Sequence, residues 1–345
     1  MRWLFGGMLL LALAGCSRTA GLGNGEERID PRERDIEREL IRLAKQVTLA
    51  RRDESGAELV YRFNQPKSVA CLDAELVVDT LPENLAQGLF ATPARYPAKL
   101  RFANATQFDD READLRGLSI KVLDVPGAVS VAGGPGVQDF TFNNYPALFA
   151  GTPDDFLSFV QATADGQTWR YFLRHPRSLL IVLRARSRPD SPFVLRYHST
   201  TPYRFGARSD TAVKLAVQAC DALPALPRVD DPHYLRDAVA TTLRNGSVCL
   251  AFMVQFQADP NSMPIEDASV IWPEEQSPFQ KVAEIRIPPQ EFADPAHRSA
   301  CESLQFNPWN GLAEHRPLGG INRVRRDLYR ELGELRAREN AAVGR

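Results

Sequence analysis

A tyrosine near the end of the chain stands at a spacing that could do chemistry. Tyr329 follows Arg325 by four residues in the segment NRVRRDLYREL, 322–332. On a helix, that spacing puts both side chains on one face, about one turn apart. A guanidinium group beside a phenol favours the phenolate anion over the neutral phenol. The alternative is a solvated helix whose one tyrosine packs its ring on the core.

Four segments, taken in chain order, resemble the catalase family. They are VYRFNQPKS (60–68), AKLRFANA (98–105), the run from DLRGLSIKVLDV to QDFTFNNYPALFAGTPDDF (114–156), and the closing Arg325-x-x-x-Tyr329. Two more segments, YHSTTPYRFG (197–206) and FNPWNGLAEHRPLGGINR (306–323), are similar to the smaller catalase-related branch that includes allene oxide synthase-like haem proteins. The resemblance lies in their shared order and spacing rather than in any single motif.

The resemblance implies a fold and a cofactor. Catalase-like proteins have an antiparallel β-barrel core with flanking helices, which enclose a pocket for non-covalently bound haem b. At the matching position Tyr329 would bind the haem iron as a phenolate, and Arg325 would be its electrostatic partner. An anionic oxygen ligand stabilises ferric iron, which suits peroxide chemistry more than oxygen carriage.

The resemblance also implies roles for five other residues. Arg62 and Arg101 would pair with the haem propionates, because an arginine fork fits a carboxylate. Phe149 and Phe156 would lie near the haem face, and the amide of Asn143 could orient a bound peroxide. Each has a plainer alternative: surface ion pairs for the arginines, core packing for the two rings, and a turn before a proline for the asparagine.

One position departs from the family pattern. Catalases have a histidine three residues after the position of Arg62, where this chain has Gln65. An amide donates and accepts hydrogen bonds but does not titrate near neutral pH, whereas general acid–base help accelerates reactions roughly 100- to 10,000-fold. Ala103 replaces the serine of the family's Arg-Phe-Ser motif, so a hydroxyl that could polarise the histidine is missing too. No histidine is close in sequence to Gln65, although one of the five could reach it through folding: His175, His198, His233, His297 and His315.

These residues predict a haem-binding, catalase-related protein that acts slowly on hydrogen peroxide or on organic or lipid hydroperoxides. Homolytic rearrangement of a lipid hydroperoxide needs iron and a hydrogen bond but no strong base. The alternative is a non-enzymatic protein that binds haem or an apolar ligand for storage, transfer or sensing. A scaffold that has lost haem is a third reading, but the retained Arg325, Tyr329 and Arg101 favour a protein that keeps it.

The N-terminus predicts export and a lipid anchor. Arg2 precedes a short apolar run, 9–14, that is too short to span a bilayer. The run ends in LAGC (13–16), which resembles the bacterial lipobox, a motif cleaved before a cysteine that is then lipidated. A lipid-anchored protein of the bacterial cell envelope, facing the periplasm, follows from it. An ordinary signal peptide followed by a chance cysteine is the alternative.

This N-terminus sets the predicted domain organisation. We expect a lipoprotein signal peptide at 1–15, a flexible tether at 16–29 that begins at lipidated Cys16, and one catalase-like haem-binding domain at 30–345. Export implies an oxidising compartment. Four further cysteines could then form disulfides in three possible pairings or remain buried thiols: Cys71, Cys220, Cys249 and Cys301.

Composition limits the possible partners. The 345 residues carry a net charge of -1, so the chain lacks the basic excess that nucleic-acid binding requires. Hydrophobic residues make up 44% and charged residues 25%, which is typical of a soluble globular protein. No CxxC, CxxCH or HExxH motif supports a zinc site or covalently attached haem. The sequence leaves the oligomeric state open.

The sequence predicts many strands and a few helices, and these elements must position the candidate site residues. A stripe of Ile36, Leu40, Leu43 and Val47 predicts a first helix beginning near Asp30. Other helices are predicted at 82–90, 153–164, 166–186 with a break at 175–176, 231–244 and from 321. Strands are predicted at 57–63, 74–78, 98–105, 116–125, 138–144, 193–199, 212–219, 247–257 and 282–287. The pattern is typical of an α+β fold with a mostly antiparallel sheet, which can close into a barrel.

Overall fold

A computed structural model describes residues 21–133 and 136–343 of the chain. The predicted signal peptide and Cys16 lie outside these residues. The strands are β1 Lys67–Val78, β2 Ala94–Asn104, β3 Arg116–Val122, β4 Gln138–Asn143, β5 Tyr197–His198, β6 Tyr203–Arg204, β7 Ala212–Ala219, β8 Val248–Phe256 and β9 Gln280–Ile287. The α-helices are α1 Glu33–Ser55, α2 Pro153–Ala164, α3 Thr168–Arg174, α4 Pro176–Ala185, α5 Tyr234–Asn245, α6 Pro295–Ser303 and α7 Gly320–Val343.

The strands form one antiparallel sheet that closes on itself. Their order is β5-β4-β3-β2-β1-β9-β8-β7-β6, and β5 also pairs with β7. This extra pairing, which joins Tyr197 to Val217, closes a ring of eight strands. The two-residue β6 pairs with the other end of β7, where Tyr203 meets Val213. The predicted α+β class with a closed antiparallel barrel is therefore confirmed.

Alternating side chains fill the inside of the barrel. In β8, Val248, Leu250, Phe252 and Val254 are all buried in the main core, as their spacing predicts. The Phe252 ring meets the Phe140 ring edge-on, with 5.0 Å between the ring centres. A packed aromatic interior leaves the outer surface of the strands as the place where helices can enclose a ligand.

Three helices pack together, and one of them, α7, lies on that outer surface. The predicted stripe of α1 is buried, and it packs with Val160 of α2 and with Val324 and Leu328 of α7. The helix ends at Gly56, whose left-handed backbone (φ 63°) lets its N–H bond back to the last turn. In the described part of the chain, no helix is long and apolar enough to cross a membrane.

Two disulfides join distant parts of the chain. Cys71 of β1 is bonded to Cys301 of α6, and Cys220 is bonded to Cys249 of β8. The structure thereby selects one of the three pairings that the sequence allows. Because Cys71 lies opposite Arg101 in the β1–β2 register, the first disulfide holds α6 against the outer face of the barrel at that arginine.

Two predicted elements are wrong, and each has a local cause. Residues 57–63 form no strand, because side chains from the helices take their backbone groups: Asn340 bonds both the N–H and the C=O of Val60, and Arg51 bonds the carbonyl of Phe63. Residues 82–90 contain only a 3-10 turn at Gly88–Phe90. Gly88 has φ 53°, and a Cβ there would lie 2.5 Å from His315 Nε2.

Short elements were also predicted incorrectly or missed from the sequence pattern. Of the strand predicted at 193–199, only Tyr197–His198 is strand, because a turn begins at Pro192. The helix α6 carries no apolar period and was not predicted. Of the predicted tether, the structure describes 21–29. Within it Gly25 bonds the Gln257 side chain at 2.8 Å and Glu27 pairs with Arg323 at 2.6 Å, so this part is held against the domain.

Candidate functional site

The strands β2, β3 and β4 have one face toward the barrel core and one toward the helices. Phe102, Leu118 and Phe142 lie opposite one another and are buried in the core. The residues between them share the other face. In register, these are Arg101, Ser119 and Thr141 in one row, and Ala103, Gly117 and Asn143 in the next. The register thus places the two predicted site residues Arg101 and Asn143 on one surface, which we call the outer face.

The helix α7 lies against the outer face and brings Arg325 and Tyr329 to it. Arg325 Nη2 donates to Tyr329 Oη at 2.8 Å and to Thr141 Oγ1 at 2.7 Å, and Nη1 donates to Asn322 Oδ1 at 3.1 Å. Burial opposes the charge of Arg325, but the phenol groups of Tyr329 and Tyr203 outweigh it and raise the pKa of Arg325 above its ordinary value. A permanent positive charge is therefore held against the phenol oxygen.

The amides of Gln65 and Asn143 meet on the same face. Gln65 Nε2 donates to Asn143 Oδ1 at 3.0 Å, and both side chains are half-buried. Asn143 is two residues from Thr141, so this amide pair stands about 7 Å along β4 from the Arg325 contact. Within 21–133 and 136–343, neither Gln65 Oε1 nor Asn143 Nδ2 has a protein hydrogen-bond partner. One acceptor and one donor remain available side by side.

The backbone at Gln65 is held in an unusual conformation. Its φ is 57°, a left-handed value that costs a non-glycine residue about 1–3 kcal/mol. Arg101 Nη2 donates to the Gln65 carbonyl at 2.9 Å, and the Gln65 N–H donates to the carbonyl of Ala105 at 3.3 Å. The side chain lies over Gly117, where a Cβ would come within 2.1 Å of Gln65 Nε2. The strand therefore leaves space for this amide by having glycine at 117.

Three arginines lie around one carboxylate next to Gln65, and two of them pair with it. Arg62 Nη1 donates to Glu302 Oε2 at 2.5 Å, and Arg101 Nη2 lies 3.9 Å from Glu302 Oε1. Arg62 and Arg336 both donate from Nη2 to the carbonyl of Leu304, at 2.8 and 2.9 Å. Arg101 is 1% exposed and Arg336 is 6% exposed. Among the described residues, Arg101 Nε and Arg336 Nη1 are buried without a hydrogen-bond partner.

This arginine cluster, Arg62, Arg101 and Arg336 with Glu302, is short of negative charge. Burial, together with the charge of Arg62, lowers the pKa of Arg101 well below its ordinary value and the pKa of Arg336 to about 10. Burial also lowers the pKa of Arg62, although Glu302 offsets part of this effect. Three cations against one carboxylate leave two positive charges uncompensated, which is costly inside a protein. The cluster therefore fits a ligand that brings two negative charges.

The two predicted phenylalanines lie apart from the arginine cluster. Phe149 packs on Phe159, with 4.6 Å between ring centres, and on the rings of Tyr171 and Phe172. Phe156 stacks on Phe159 at 6.5 Å. We call these five side chains the aromatic cluster; it joins α2 to α3. These ring contacts are core packing, and their role toward a haem stays a prediction.

A histidine does reach the outer face, although none is near Gln65 in sequence. His198 of β5 lies opposite Asn143 in the strand ladder. Burial, and then the nearby Arg196 and Lys214, lower the pKa of His198 to about 3, so its imidazole is neutral at ordinary pH. His315 is a structural histidine, because its Nε2 accepts the N–H of Leu89 at 2.9 Å and burial lowers its pKa to about 4.

Two members of the arginine cluster were missed from the sequence. Arg336 follows Tyr329 by seven residues, a spacing that returns to the same face of a helix after two turns. The helical period of α7 could therefore have indicated it. Glu302 could not have been found in this way, because only the Cys71–Cys301 disulfide and the fold bring α6 to the arginines.

Comparison with known proteins gives distant relatives. No protein-family model matches the chain. It is 27% identical over 195 residues to a catalase-related peroxidase of Mycolicibacterium paratuberculosis, a match that covers 50% of this chain and 58% of that protein. It is 24% identical over 289 residues to an allene oxide synthase-lipoxygenase protein of Plexaura homomalla, covering 76% of this chain and 26% of that protein. The chain thus spans less than two thirds of either relative.

Solved structures share the architecture at low identity. Catalase A from Saccharomyces cerevisiae superposes with a TM-score of 0.65 at 15% identity, covering 83% of this chain and 63% of that chain. A bacterial catalase gives 0.62 at 16%, covering 82% and 59%, and a fungal catalase gives 0.58 at 16%, covering 78% and 57%. At these identities, the likeness establishes the fold.

The space above Gly117 leads to a test of the site geometry. We expect Gly117→Ala to displace the Gln65 amide from Asn143, because the new methyl group would occupy its position. The far end of a flexible side chain moves easily, so the free energy of unfolding should change by less than about 1 kcal/mol. Chemical denaturation measures the stability, and the NMR signals of the Gln65 and Asn143 side-chain amides report the displacement. Gly333→Ala, on α7, is the control. Unchanged amide signals in Gly117→Ala would contradict the geometry.

Proposed function

We propose that this chain, which is catalase-like in sequence and in fold, binds haem non-covalently between the outer face and α7 and acts slowly on peroxides. The observation that carries the proposal is the arginine cluster, with two uncompensated positive charges beside the helix that holds Tyr329. The resemblance of the motifs, and the catalase-related peroxidase among the relatives, support the same reading.

The cluster matches the charge of haem b, which carries two propionates. Arg62, Arg101 and Arg336 are buried or nearly so, and a carboxylate is the partner that an arginine fork accepts best. The N–H groups at Arg101 Nε and Arg336 Nη1 have no other protein acceptor in the described chain. Two propionates would remove the excess charge, so binding of haem would stabilise this part of the fold.

Tyr329 is the residue that would hold the iron. Its oxygen accepts a hydrogen bond from Arg325 at 2.8 Å, so a positive charge lies against the atom that would bind the iron. The same nitrogen of Arg325, Nη2, also donates to Thr141, and Nη1 donates to Asn322, so the guanidinium has one defined position on the outer face. When bound, haem would supply a ferric iron that is stabilised by an anionic oxygen ligand.

Gln65 and Asn143 would hold the substrate. The free acceptor and donor of the amide pair complement a hydroperoxide, which both donates and accepts hydrogen bonds. Neither amide titrates, and His198, with a pKa of about 3, is a weak base for proton transfer. The site can orient a peroxide but has poor means of moving its proton. We therefore infer slow turnover of hydrogen peroxide, or homolytic rearrangement of an organic or lipid hydroperoxide.

A non-enzymatic role is the second candidate, and one contact favours it. The amides of Gln65 and Asn143 are bonded to each other rather than to a titratable group. A catalase-like barrel with such a site could bind haem or another carboxylate-bearing apolar ligand for storage, transfer or sensing. Peroxide-dependent activity separates this candidate from the enzyme.

We also propose that the protein is anchored in the bacterial cell envelope through lipidated Cys16 and faces the periplasm. The support is the LAGC tetrapeptide after an apolar run. Two disulfides in the domain are in keeping with an oxidising compartment. Radiolabelled fatty acid incorporated into the natural chain but not into Cys16→Ser would support the anchor, and its absence from both would contradict it.

The haem proposal is tested with Tyr329→Phe. The test uses residues 21–345, which contain all the described helices and strands and both disulfides. We expect the natural sequence to bind one ferric haem per chain with a high-spin tyrosinate spectrum. Tyr329→Phe should lose that spectrum and bind haem at least about tenfold more weakly, because the iron loses its ligand. Tyr96→Phe, on β2, is the control. No haem binding by the natural sequence, or an unchanged spectrum in Tyr329→Phe, would overturn the proposal.

The role of Gln65 is tested by restoring a titratable group. We expect oxygen release from hydrogen peroxide to be slow in the haem-loaded natural sequence and to rise roughly 100-fold or more in Gln65→His, because imidazole can transfer the proton. Gln46→His adds a histidine on the exposed side of α1 and should change nothing. The tyrosinate spectrum confirms that each variant holds its haem. Rapid oxygen release by the natural sequence, or no gain in Gln65→His, would show that our account of the glutamine is wrong.

A further inference from the structure

The two short helices α3 and α4 present large apolar side chains to solvent. Trp169 and Leu173 of α3 are 62% and 74% exposed, and Leu180 and Leu183 of α4 are 45% and 57% exposed. Each helix has a buried side as well, formed by Tyr171 in α3 and by Ile181 and Ala185 in α4. We call the exposed side of Thr168–Ala185 the α3–α4 face. Its apolar groups are contiguous along the helices, and such exposed patches usually mark an interaction surface.

The segment that carries this face is strongly basic. Between 166 and 189 the chain has six arginines and no acidic residue: Arg170, Arg174, Arg177, Arg184, Arg186 and Arg188. Removing these six from the 42 basic residues leaves 36 against 43 acidic ones, so the rest of the chain is acidic. Positive charge is therefore concentrated at one place in a chain that is nearly neutral overall.

Most of these arginines have charge that no acidic group of the described chain compensates, although Arg177 donates to the carbonyl of Ser269 at 3.1 Å and Arg186 to the carbonyl of Ala113 at 2.8 Å. All six are exposed. Within 21–133 and 136–343, only Arg188 of the six has an ion pair, at 3.8 Å from Glu112. Arg170 lies against the ring of Trp169, with its guanidinium carbon 5.4 Å from the ring centre. Since residues three or four apart are neighbours on a helix, Arg170 adjoins Leu173, and Arg177 and Arg184 adjoin Leu180.

We propose that the α3–α4 face docks on the surface of an anionic phospholipid bilayer. A tryptophan and leucines that can enter the interface, bordered by arginines that meet lipid phosphates, are the composition of helices that lie in a membrane surface. The charge argues for lipid over a neutral protein surface, since each arginine near an anionic bilayer adds attraction. The inference concerns a surface that the haem proposal does not use, and it stands without bound haem.

The α3–α4 face lies on the same helix as part of the aromatic cluster, so docking would bring the bilayer close to that cluster. Tyr171 and Phe172 of α3 belong to the aromatic cluster, where both rings contact Phe149. The helix that would face the bilayer with Trp169 and Leu173 thus packs with its other side on the aromatic cluster, which contains the two rings that the resemblance would place near a haem. A bilayer at the α3–α4 face would lie next to apolar protein groups, where lipid-derived hydroperoxides would be met first.

Vesicle co-sedimentation of residues 21–345 tests the proposal, because this piece lacks the predicted lipid anchor. Vesicles contain either phosphatidylcholine alone or phosphatidylcholine with phosphatidylglycerol. We expect binding to the phosphatidylglycerol vesicles at 0.1 M salt and at least tenfold weaker binding to neutral ones. At 1 M salt the screening length falls to about 3 Å, so the preference should be lost.

Paired variants assign the binding to the face. Arg174→Gln with Arg184→Gln should weaken binding to anionic vesicles roughly 30-fold, since each charge contributes several-fold. Arg38→Gln with Arg208→Gln makes the same change in net charge elsewhere and should weaken binding far less. Leu173→Ser with Leu183→Ser should weaken it at least about tenfold. Val129→Ser with Val229→Ser, at 70% and 60% exposure, is the matched apolar control. Circular dichroism confirms that each variant is folded.

Three results would overturn the proposal. One is no binding to anionic vesicles at low salt. Another is equal loss of binding in the α3–α4 variants and in their matched controls, which would mean a general charge or apolar effect. The third is a dimer in solution that does not bind vesicles and that Leu173→Ser with Leu183→Ser converts to monomers. That outcome would assign the face to a second copy of the chain.

Discussion

The main constraint on the structure is an excess of buried positive charge where α7 lies on the outer face of the barrel. The arginine cluster has three guanidinium groups and the single carboxylate of Glu302, which pairs with Arg62 and Arg101, and two of the three have buried N–H groups without an acceptor in the described chain. A buried charge without a partner is strongly destabilising. Such a cluster fits an anion that would supply the missing negative charge. The Cys71–Cys301 disulfide contributes by holding α6 and its one carboxylate in place.

The strand register places the residues of the candidate site on one surface. Arg101, Thr141 and Asn143 share one face because side chains alternate along β2 and β4. Through hydrogen bonds, Arg101 positions the backbone of Gln65, and Thr141 positions Arg325 beside Tyr329. The arginine cluster, the amide pair and the phenol are thus connected by one sheet surface. A one-residue change in the register of β2 or β4 would move Arg101, or Thr141 and Asn143, to the core side.

The sequence predicts the parts of this arrangement that follow from local pattern. The stripe of α1, the alternation of β8 and the helices of 153–186 are regular, and the structure has them. The motif order predicts the catalase-like barrel. What could not be predicted depends on long-range contacts. Residues 57–63 have strand-forming composition, but Asn340 and Arg51 satisfy their backbone groups instead. The carboxylate of Glu302 enters the site only through a disulfide between residues 230 apart in sequence.

The site residues also divide into those that local motifs predict and those that only long-range contacts bring to the site. Arg101, Asn143, Arg325 and Tyr329 stand in motifs, and the fold brings them to one surface. Arg336 was missed although the helical period of α7 points to it. His198 reaches Asn143 through strand pairing between distant segments, which no local pattern reveals. Burial lowers the pKa of this histidine to about 3, so under the proposed function it would be a weak base for the proton transfer that Gln65 cannot perform.

The most direct test of the central claim measures how much haem stabilises the protein when the arginine cluster is altered. Urea unfolding is followed with and without ferric haem for the natural sequence, for Arg101→Met on β2 and for Arg338→Met, which changes an exposed arginine on α7. We predict that Arg101→Met is at least as stable as the natural sequence without haem, because an uncompensated charge is gone. Haem should then stabilise it by about 1.4 kcal/mol less for each tenfold loss in affinity, while Arg338→Met should behave like the natural sequence. Full haem stabilisation in Arg101→Met would contradict the account.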